Sequence, residues 1–308
     1  MHIETVTRPC PNCSSFDAVP LASGCDFEYH TCDNVFSVVA CRTCQLVYLN
    51  PMPHPDWLSR VYPPEYKPFH FHSGSKGLIM RIRDFLDRRK LASLRAMLAP
   101  AARILDIGCG DGRLMALLHS INPAWRMEGV DSGETAVRRA LQRGLHVRHG
   151  VYENIPFEEG GYDLLVLNQV IEHIVDPGAV LEKVFRELKP GGLVNIETPS
   201  LDGWDARLYR STHWGGWHFP RHLTFFTEAT MTALLRETGF SVISVNYLPS
   251  PVFWVFSWHH AWETHIGKGA DFFSDANSLA LGAGTILDAI QSALTGKTSN
   301  MRVLARKV

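Results

Sequence analysis

The chain has 308 residues, 45% of them hydrophobic, and its 30 Lys and Arg nearly balance 31 Asp and Glu for a formal net charge of −1. That length suits one large domain with a small appendage, or two modest ones, and the charge supplies no global field that would draw the protein to nucleic acid or an anionic membrane. No apolar run approaches the roughly 20 residues that span a bilayer, and Met1–Val6 carries no basic stretch ahead of an apolar one, so a cytoplasmic protein is expected.

The first feature in chain order is a pair of Cys-x-x-Cys motifs, Cys10-Pro11-Asn12-Cys13 and Cys41-Arg42-Thr43-Cys44. They hold four of the seven cysteines, a distribution that reads as metal binding rather than as a disulfide framework. Four thiolates suit a closed, structural tetrahedral zinc site with sulfur at about 2.3 Å. Residues 1–50 therefore read as a zinc ribbon, too short and polar for its own core, with metal supplying folding energy. Cys25 and Cys32 read as ordinary residues. Leu46–Leu49 looks like the last ribbon strand, and Asn50-Pro51-Met52-Pro53-His54-Pro55 is a link that continues neither strand nor helix.

Residues 51–99 form the linker and an amphipathic helix. From Gly77 to Leu98, the residues Leu78, Ile82, Phe85, Leu86, Leu94, Met97 and Leu98 share one side, and Arg81, Arg83, Arg88, Arg89, Lys90 and Arg95 the other. A solvated face is the plain reading of those cations; an anionic substrate or a membrane surface is the sharper one.

The centre of the chain is Arg103-Ile104-Leu105-Asp106-Ile107-Gly108-Cys109-Gly110-Asp111-Gly112-Arg113. A β-prone run stops at a glycine-rich turn, and Leu114, Met115, Leu117 and Leu118 follow with helical spacing. This is the first βα unit of a doubly wound sheet, where ligands sit at the carboxyl ends of strands. A dinucleotide fingerprint needs a glycine where Arg113 stands. The spacing found, Asp106-x-Gly108-x-Gly110-x-Gly112, resembles motif I of the class I S-adenosylmethionine-dependent methyltransferases. That resemblance implies an α/β, Rossmann-like seven-stranded sheet in residues 100–308, with strands six and seven antiparallel to each other. It also implies a loop backbone lying against the methionine part of S-adenosyl-L-methionine, with Asp106 holding its ammonium directly or through water.

The later motifs extend the likeness. Strand two, Trp125–Asp131, ends in an acid about 20 residues past the glycine turn, placed to accept the ribose hydroxyls. Leu145–His149 reads as strand three, and Gly150–Phe157 resembles the family's adenine segment. Many members carry Asp where Val151 stands, so backbone groups of Val151 and Tyr152, or the Glu153 side chain, are expected to serve. The apolar run Tyr162–Val170 reads as a buried parallel strand leading into Ile171-Glu172-His173. The resemblance puts Asn168 and Gln169 at the cofactor's edge and points His173 towards the acceptor. Ala179–Leu188 reads as a helix stopped by Lys189-Pro190-Gly191-Gly192, with strand five at Leu193–Pro199. The Cys-x-x-Cys ribbon, Asn-Pro link and Tyr62 and Tyr66 resemble zinc-ribbon-bearing methyltransferases of bacterial biosynthetic clusters, similar to ubiquinone-type enzymes, in which this region closes over the cofactor.

Trp204–Phe226 is crowded with aromatic residues around His213, His218, Arg221 and His222, as the wall of a small-molecule pocket would be. Phe240–Tyr247 and Asn300–Lys307 read as strands six and seven. Between them, residues 248–299 form an insertion with a second helical stretch at Leu279–Leu294, read first as a cap over the acceptor pocket, then as a homodimer face or a membrane foot. The expected reaction is O-methylation of a small-molecule or glycoconjugate hydroxyl, with His173, His218 or His222 as base. An RNA methyltransferase, which the charge disfavours, and a non-catalytic cofactor-binding interaction protein are the alternatives.

Overall fold

The computed structural model describes residues 1–63, 88, 91, 94–267, 269–275 and 277–308. Tyr66 and the Gly77–Lys90 part of the amphipathic helix, apart from Arg88, lie outside the described residues. A short helix, Leu94–Met97, marks its end.

The N-terminal region contributes five strands: β1 (Thr5–Val6), β2 (Ala18–Gly24), β3 (Phe36–Cys41), β4 (Val47–Leu49) and β5 (Met52–Pro53). Eight more follow: β6 (Arg103–Ile107), β7 (Arg126–Asp131), β8 (Val147–His149), β9 (Tyr162–Asn168), β10 (Leu188–Pro199), β11 (Thr224–Phe225), β12 (Phe240–Tyr247) and β13 (Asn300–Lys307). Seven make the expected sheet, in the order β12-β13-β10-β9-β6-β7-β8. β6 to β10 are parallel, and β13 runs antiparallel to both β10 and β12. Leu164, Leu165, Val166 and Leu167 of β9 are all buried, as a strand covered on both faces requires. The order reverses between β6 and β9, the switch point beside which open α/β sheets bind ligands.

Several boundaries differ from the sequence reading: Met52–Pro53, inside the proline-rich link, pairs antiparallel with β1 as a short strand, and β10 begins at Leu188 rather than Leu193. The helix Pro177–Glu187 ends before Lys189-Pro190-Gly191-Gly192, which instead lies within β10 as an irregularity between Leu188 and Leu193. Pro190 disfavours the helical region for Lys189, so the helix stops a residue earlier and the glycines shape the strand.

The ribbon is not self-contained. Its sheet has the order β11-β4-β3-β2, and the edge strand β11 comes from the distant Thr224–Phe225. Phe36, Val38, Val47 and Leu49 share one apolar cluster with Trp214, Trp217, Phe219 and Phe225. The short polar segment thus finds its core by packing on the aromatic stretch, which accounts for that stretch's composition.

Among the described residues the insertion holds two α-helices, Pro251–His265 and Ser278–Thr295, with a 3-10 turn at Ala270–Phe272 between them. Asp288 of the second accepts from Trp254 Nε1 of the first at 3.0 Å, and Gly284 lies where a Cβ would meet the Pro251 carbonyl oxygen at 2.8 Å. The first helix braces the aromatic segment from behind: Ser257 Oγ accepts from Gly215 N at 2.9 Å, and Phe253 packs against Trp214. Among the described residues no helix is long and apolar enough to cross a membrane.

Candidate active site

The glycine turn joins β6 to the helix Arg113–Ile121, with Gly112 as its N-cap. Gly108 has φ +70°, and a Cβ there would stand 2.3 Å from Val170 Cγ2. Gly110 has φ +54° with nothing within 4 Å of where its Cβ would be. One glycine is thus required by close packing, and the other opens space over the backbone.

Two carboxylates flank this space. Asp131, at the end of β7, accepts from Gly110 N at 2.8 Å and Gly133 N at 2.7 Å, so it fixes the turn as well as facing the site. Asp106, at the end of β6, is 1% exposed, and its Oδ2 has no hydrogen-bond partner among the described residues. Burial, and then the neighbouring Asp131, push the Asp106 carboxyl up to about 8. A buried carboxylate without a donor is costly, and a cationic or N–H-bearing group in the opening is what would satisfy it. The Asn168 Oδ1 at the end of β9 is likewise buried without a partner.

The remaining residues expected at the cofactor are less uniform. Gln169, with φ +56°, donates from Nε2 to Asn300 Oδ1 at 3.0 Å, and Asn300 donates to Glu197 Oε1 at 3.0 Å. Its side chain therefore ties the sheet edge to the start of β13. Val151 and Glu153 are exposed. Tyr152 points inwards, donating to Glu187 Oε2 at 2.6 Å, while its carbonyl accepts from Lys183 Nζ at 2.7 Å. Its side chain and carbonyl are thus engaged within the fold.

The three expected histidines come together although they lie up to 49 positions apart (173 to 222). Ring centroids are 4.7 Å apart for His173 and His222, 4.9 Å for His218 and His222, and 6.3 Å for His173 and His218. Each holds its Nδ1 against a fixed partner: the Arg221 carbonyl at 3.1 Å for His173, the Gly216 carbonyl at 2.9 Å for His222, and Glu28 Oε1 at 2.7 Å for His218. Such partners accept, so each neutral ring carries its proton on Nδ1 and a lone pair on Nε2. Tyr62 OH also lies 3.1 Å from His173 Nδ1.

Environment separates the three. Burial pulls the His173 imidazolium down to about 3 and that of His222 well below the usual value, each helped by neighbouring histidines. Beneath them Glu172 is 1% exposed; burial raises its carboxyl to about 8, and its Oε2 accepts from Thr198 Oγ1 at 3.0 Å. His218, at φ +42°, occupies the left-handed region that a non-glycine residue rarely enters. Glu28 and its neighbour Asp26 were missed by the sequence reading, because nothing in Cys25–Thr31 announces a site 190 positions away.

The four cysteines also converge. Cys10 and Cys44 sulfurs are 3.5 Å apart, as are those of Cys13 and Cys41, and all four lie within 4.8 Å of one another. Tetrahedral zinc at about 2.3 Å from each sulfur puts the sulfurs about 3.8 Å apart, so the donor set fits. Ser14 and Gln45, one residue past each pair, both take positive φ (58° and 63°) and return N–H bonds to the carbonyls of Cys10 and Cys41.

Residues 79–245, more than half of the chain, match a family described as a methyltransferase domain. A ubiquinone biosynthesis O-methyltransferase of Maricaulis maris is 35% identical over 172 residues, covering 48% of this chain and 63% of that one. A trans-aconitate 2-methyltransferase of an Azoarcus species is 33% identical over 134 residues, covering 42% and 53%. The chain spans about half the length of such curated relatives. Among solved structures, geranyl diphosphate C-methyltransferase from Streptomyces coelicolor shares the fold at a TM-score of 0.52 and 14% identity, over 78% of this chain and 87% of that one.

Proposed function

The chain belongs to the methyltransferase domain family, and from that premise we propose that it transfers a methyl group from S-adenosyl-L-methionine to a hydroxyl of a small-molecule or glycoconjugate acceptor. The observation that carries the donor is the buried Asp106 carboxyl, whose Oδ2 has no hydrogen-bond partner among the described residues, beside the open turn at Gly110. Asp106 would hold the ammonium and Asp131 the ribose, with Gly108, Gly110 and Gly112 giving backbone access. Asn168 and Gln169 would edge the site, and the exposed Val151 and Glu153, on either side of the buried Tyr152, would border the adenine. When bound, the sulfonium supplies an electrophilic methyl whose S–C bonding pair stays on sulfur.

The chain's own task is then to position an acceptor oxygen and remove its proton. Placement contributes roughly 7–11 kcal/mol in well-oriented reactions, and a general base adds about 10²–10⁴-fold. The Nε2 lone pairs of His173, His218 and His222 supply the base, while Trp214, Trp217, Phe219 and Phe225, which pack into the ribbon's core rather than line a pocket, hold His218 and His222 in place. In the same reading Cys10, Cys13, Cys41 and Cys44 hold one structural zinc, and the insertion supports the acceptor side of the pocket.

Calorimetry with S-adenosyl-L-homocysteine, followed by transfer of radiolabelled methyl to a panel of phenols and glycosides, tests the proposal. Tight binding, and a fall in methyl transfer when these histidines are replaced by alanine, are expected; absence of binding removes the donor assignment, and labelling of amines alone removes the hydroxyl acceptor.

A further inference from the structure

We propose that Glu28, carried by the N-terminal ribbon rather than by the methyltransferase sheet, is the positioning residue that makes His218 the base among the three histidines. The inference rests on the reading above that a hydroxyl acceptor loses a proton to a histidine. It begins with local structure. Asp26 closes its own turn, accepting from Tyr29 N at 3.1 Å and from Thr31 N at 2.9 Å, and that turn projects Glu28 towards the aromatic segment. Glu28 Oε1 meets His218 Nδ1 at 2.7 Å, both side chains being 12% exposed. The bond spans 190 positions of sequence.

His173 and His222 rest their Nδ1 atoms on neutral carbonyls. His218 alone of the three has a carboxylate there. A carbonyl fixes a tautomer, but a carboxylate also stabilises the imidazolium that forms when Nε2 takes a proton. The positive φ of His218 is the kind of local strain that persists where the surroundings over-determine a side chain. The groups facing this pair are His173 and His222 on one side, the guanidinium of Arg221, already bonded to Asp26, the ring of Tyr29, and His260 near Glu28. Of these only Arg221 is a cation and Asp26 already pairs with it, so Glu28 is the anion placed against the His218 ring.

As the acceptor oxygen forms its bond to the methyl carbon, the hydroxyl proton passes to His218 Nε2, and the S–C pair remains on sulfur as a neutral thioether. The imidazolium, paired with Glu28, then releases its proton to water.

The experiment is ¹⁵N spectroscopy of imidazole side chains on the full chain, free and with S-adenosyl-L-homocysteine, in the parent protein and in Glu28→Gln, Glu28→Asp and His218→Gln. His218 is expected as the Nδ1–H tautomer, with its titration midpoint falling by about one unit or more in Glu28→Gln and partly restored in Glu28→Asp. S-adenosyl-L-homocysteine affinity is expected to be unchanged in all three variants. Transfer to a phenol accepted in the panel should fall about tenfold or more in Glu28→Gln, with the acid limb of kcat moving to lower pH. An Nε2–H tautomer in the parent protein, or an unmoved midpoint in Glu28→Gln, overturns the proposal. If Glu28→Gln does not fold, the parent tautomer and the Glu28→Asp midpoint decide it. Loss of cofactor binding in the parent protein would instead overturn the donor assignment, since the imidazole spectrum of the free chain is read independently.

Discussion

Arg221 and Asp26 join the aromatic segment to the ribbon through two parallel bonds, Nη1 to Oδ1 at 3.0 Å and Nη2 to Oδ2 at 2.9 Å, with both side chains fully buried. Burial by itself would raise the Asp26 carboxyl, but the bonds from Arg221 and Thr31 hold it at about 2. The planar guanidinium also stacks 4.4 Å from the Tyr29 ring. This pair locks the turn that carries Glu28 onto the loop that carries His218.

Removing one partner of such a pair leaves a buried charge. Arg221→Met is expected to cost about 3–5 kcal/mol in chemical denaturation, and Asp26→Asn combined with Arg221→Met, which removes the charge and keeps an acceptor for the turn, to recover part of it. A depressed carboxyl contributes stability above its ordinary value that is lost as pH falls through about 2. Denaturation midpoints followed from pH 5 to 2 should therefore fall more steeply in the parent protein than in the double variant.

Asp106 gives the opposite sign. Its carboxyl, raised to about 8, is protonated in the free protein at neutral pH, whereas an ammonium ligand needs it ionised. Calorimetric affinity for S-adenosyl-L-homocysteine should then rise with pH and level off above about 8, with a proton released on binding at lower pH. A raised carboxyl also means that stability declines as pH climbs from its ordinary value through about 8. Asp106→Asn should consequently bind more weakly yet melt higher than the parent at pH 8. Equal melting temperatures at that pH would count against the buried charge.

Gly108→Ala places a Cβ in the left-handed region and within 2.3 Å of Val170 Cγ2. The backbone alone costs about 1–2 kcal/mol, about tenfold in Kd if the strain falls on the bound state. Weaker cofactor binding with a lowered melting temperature is expected. Gly108→Ala combined with Val170→Ala should recover part of the stability, because the steric share is removed and the strain is kept.

For the ribbon, metal analysis should return one zinc per chain, and chelation should lower the melting temperature. The effect should reach beyond residues 1–50, because β4 pairs with β11 and the shared cluster includes Trp214 and Trp217. Near-ultraviolet circular dichroism, which reads buried tryptophan, should change with chelator and return with zinc. The same loss should follow Cys41→Ser.

The sequence by itself determined what repeats at short range. Asp106, the glycines after it and Asp131 announced the strand, tight turn and helix at β6 because their spacing is set by one strand, one loop and one helix. The apolar run of β9 announced a two-faced strand, and the Cys-x-x-Cys pairs a donor set, for the same reason of local geometry. Strands at Phe240–Tyr247 and Asn300–Lys307 were legible by alternation, and the helical stretch at Leu279–Leu294 matched the helix Ser278–Thr295. Even there Pro190 shifted a helix end that glycines alone suggested. Only the tertiary structure decided how the ribbon and the late aromatic segment divide the work. β11 closes the ribbon sheet, Asp26 neutralises Arg221 and Glu28 reaches His218, and each of these contacts joins residues 170 or more positions apart. Such contacts leave no periodic trace, because a single charge in a turn has no neighbour in sequence to reveal its partner, and because burial, backbone conformation and the partner at Nδ1, which separate the three histidines, are set by the fold.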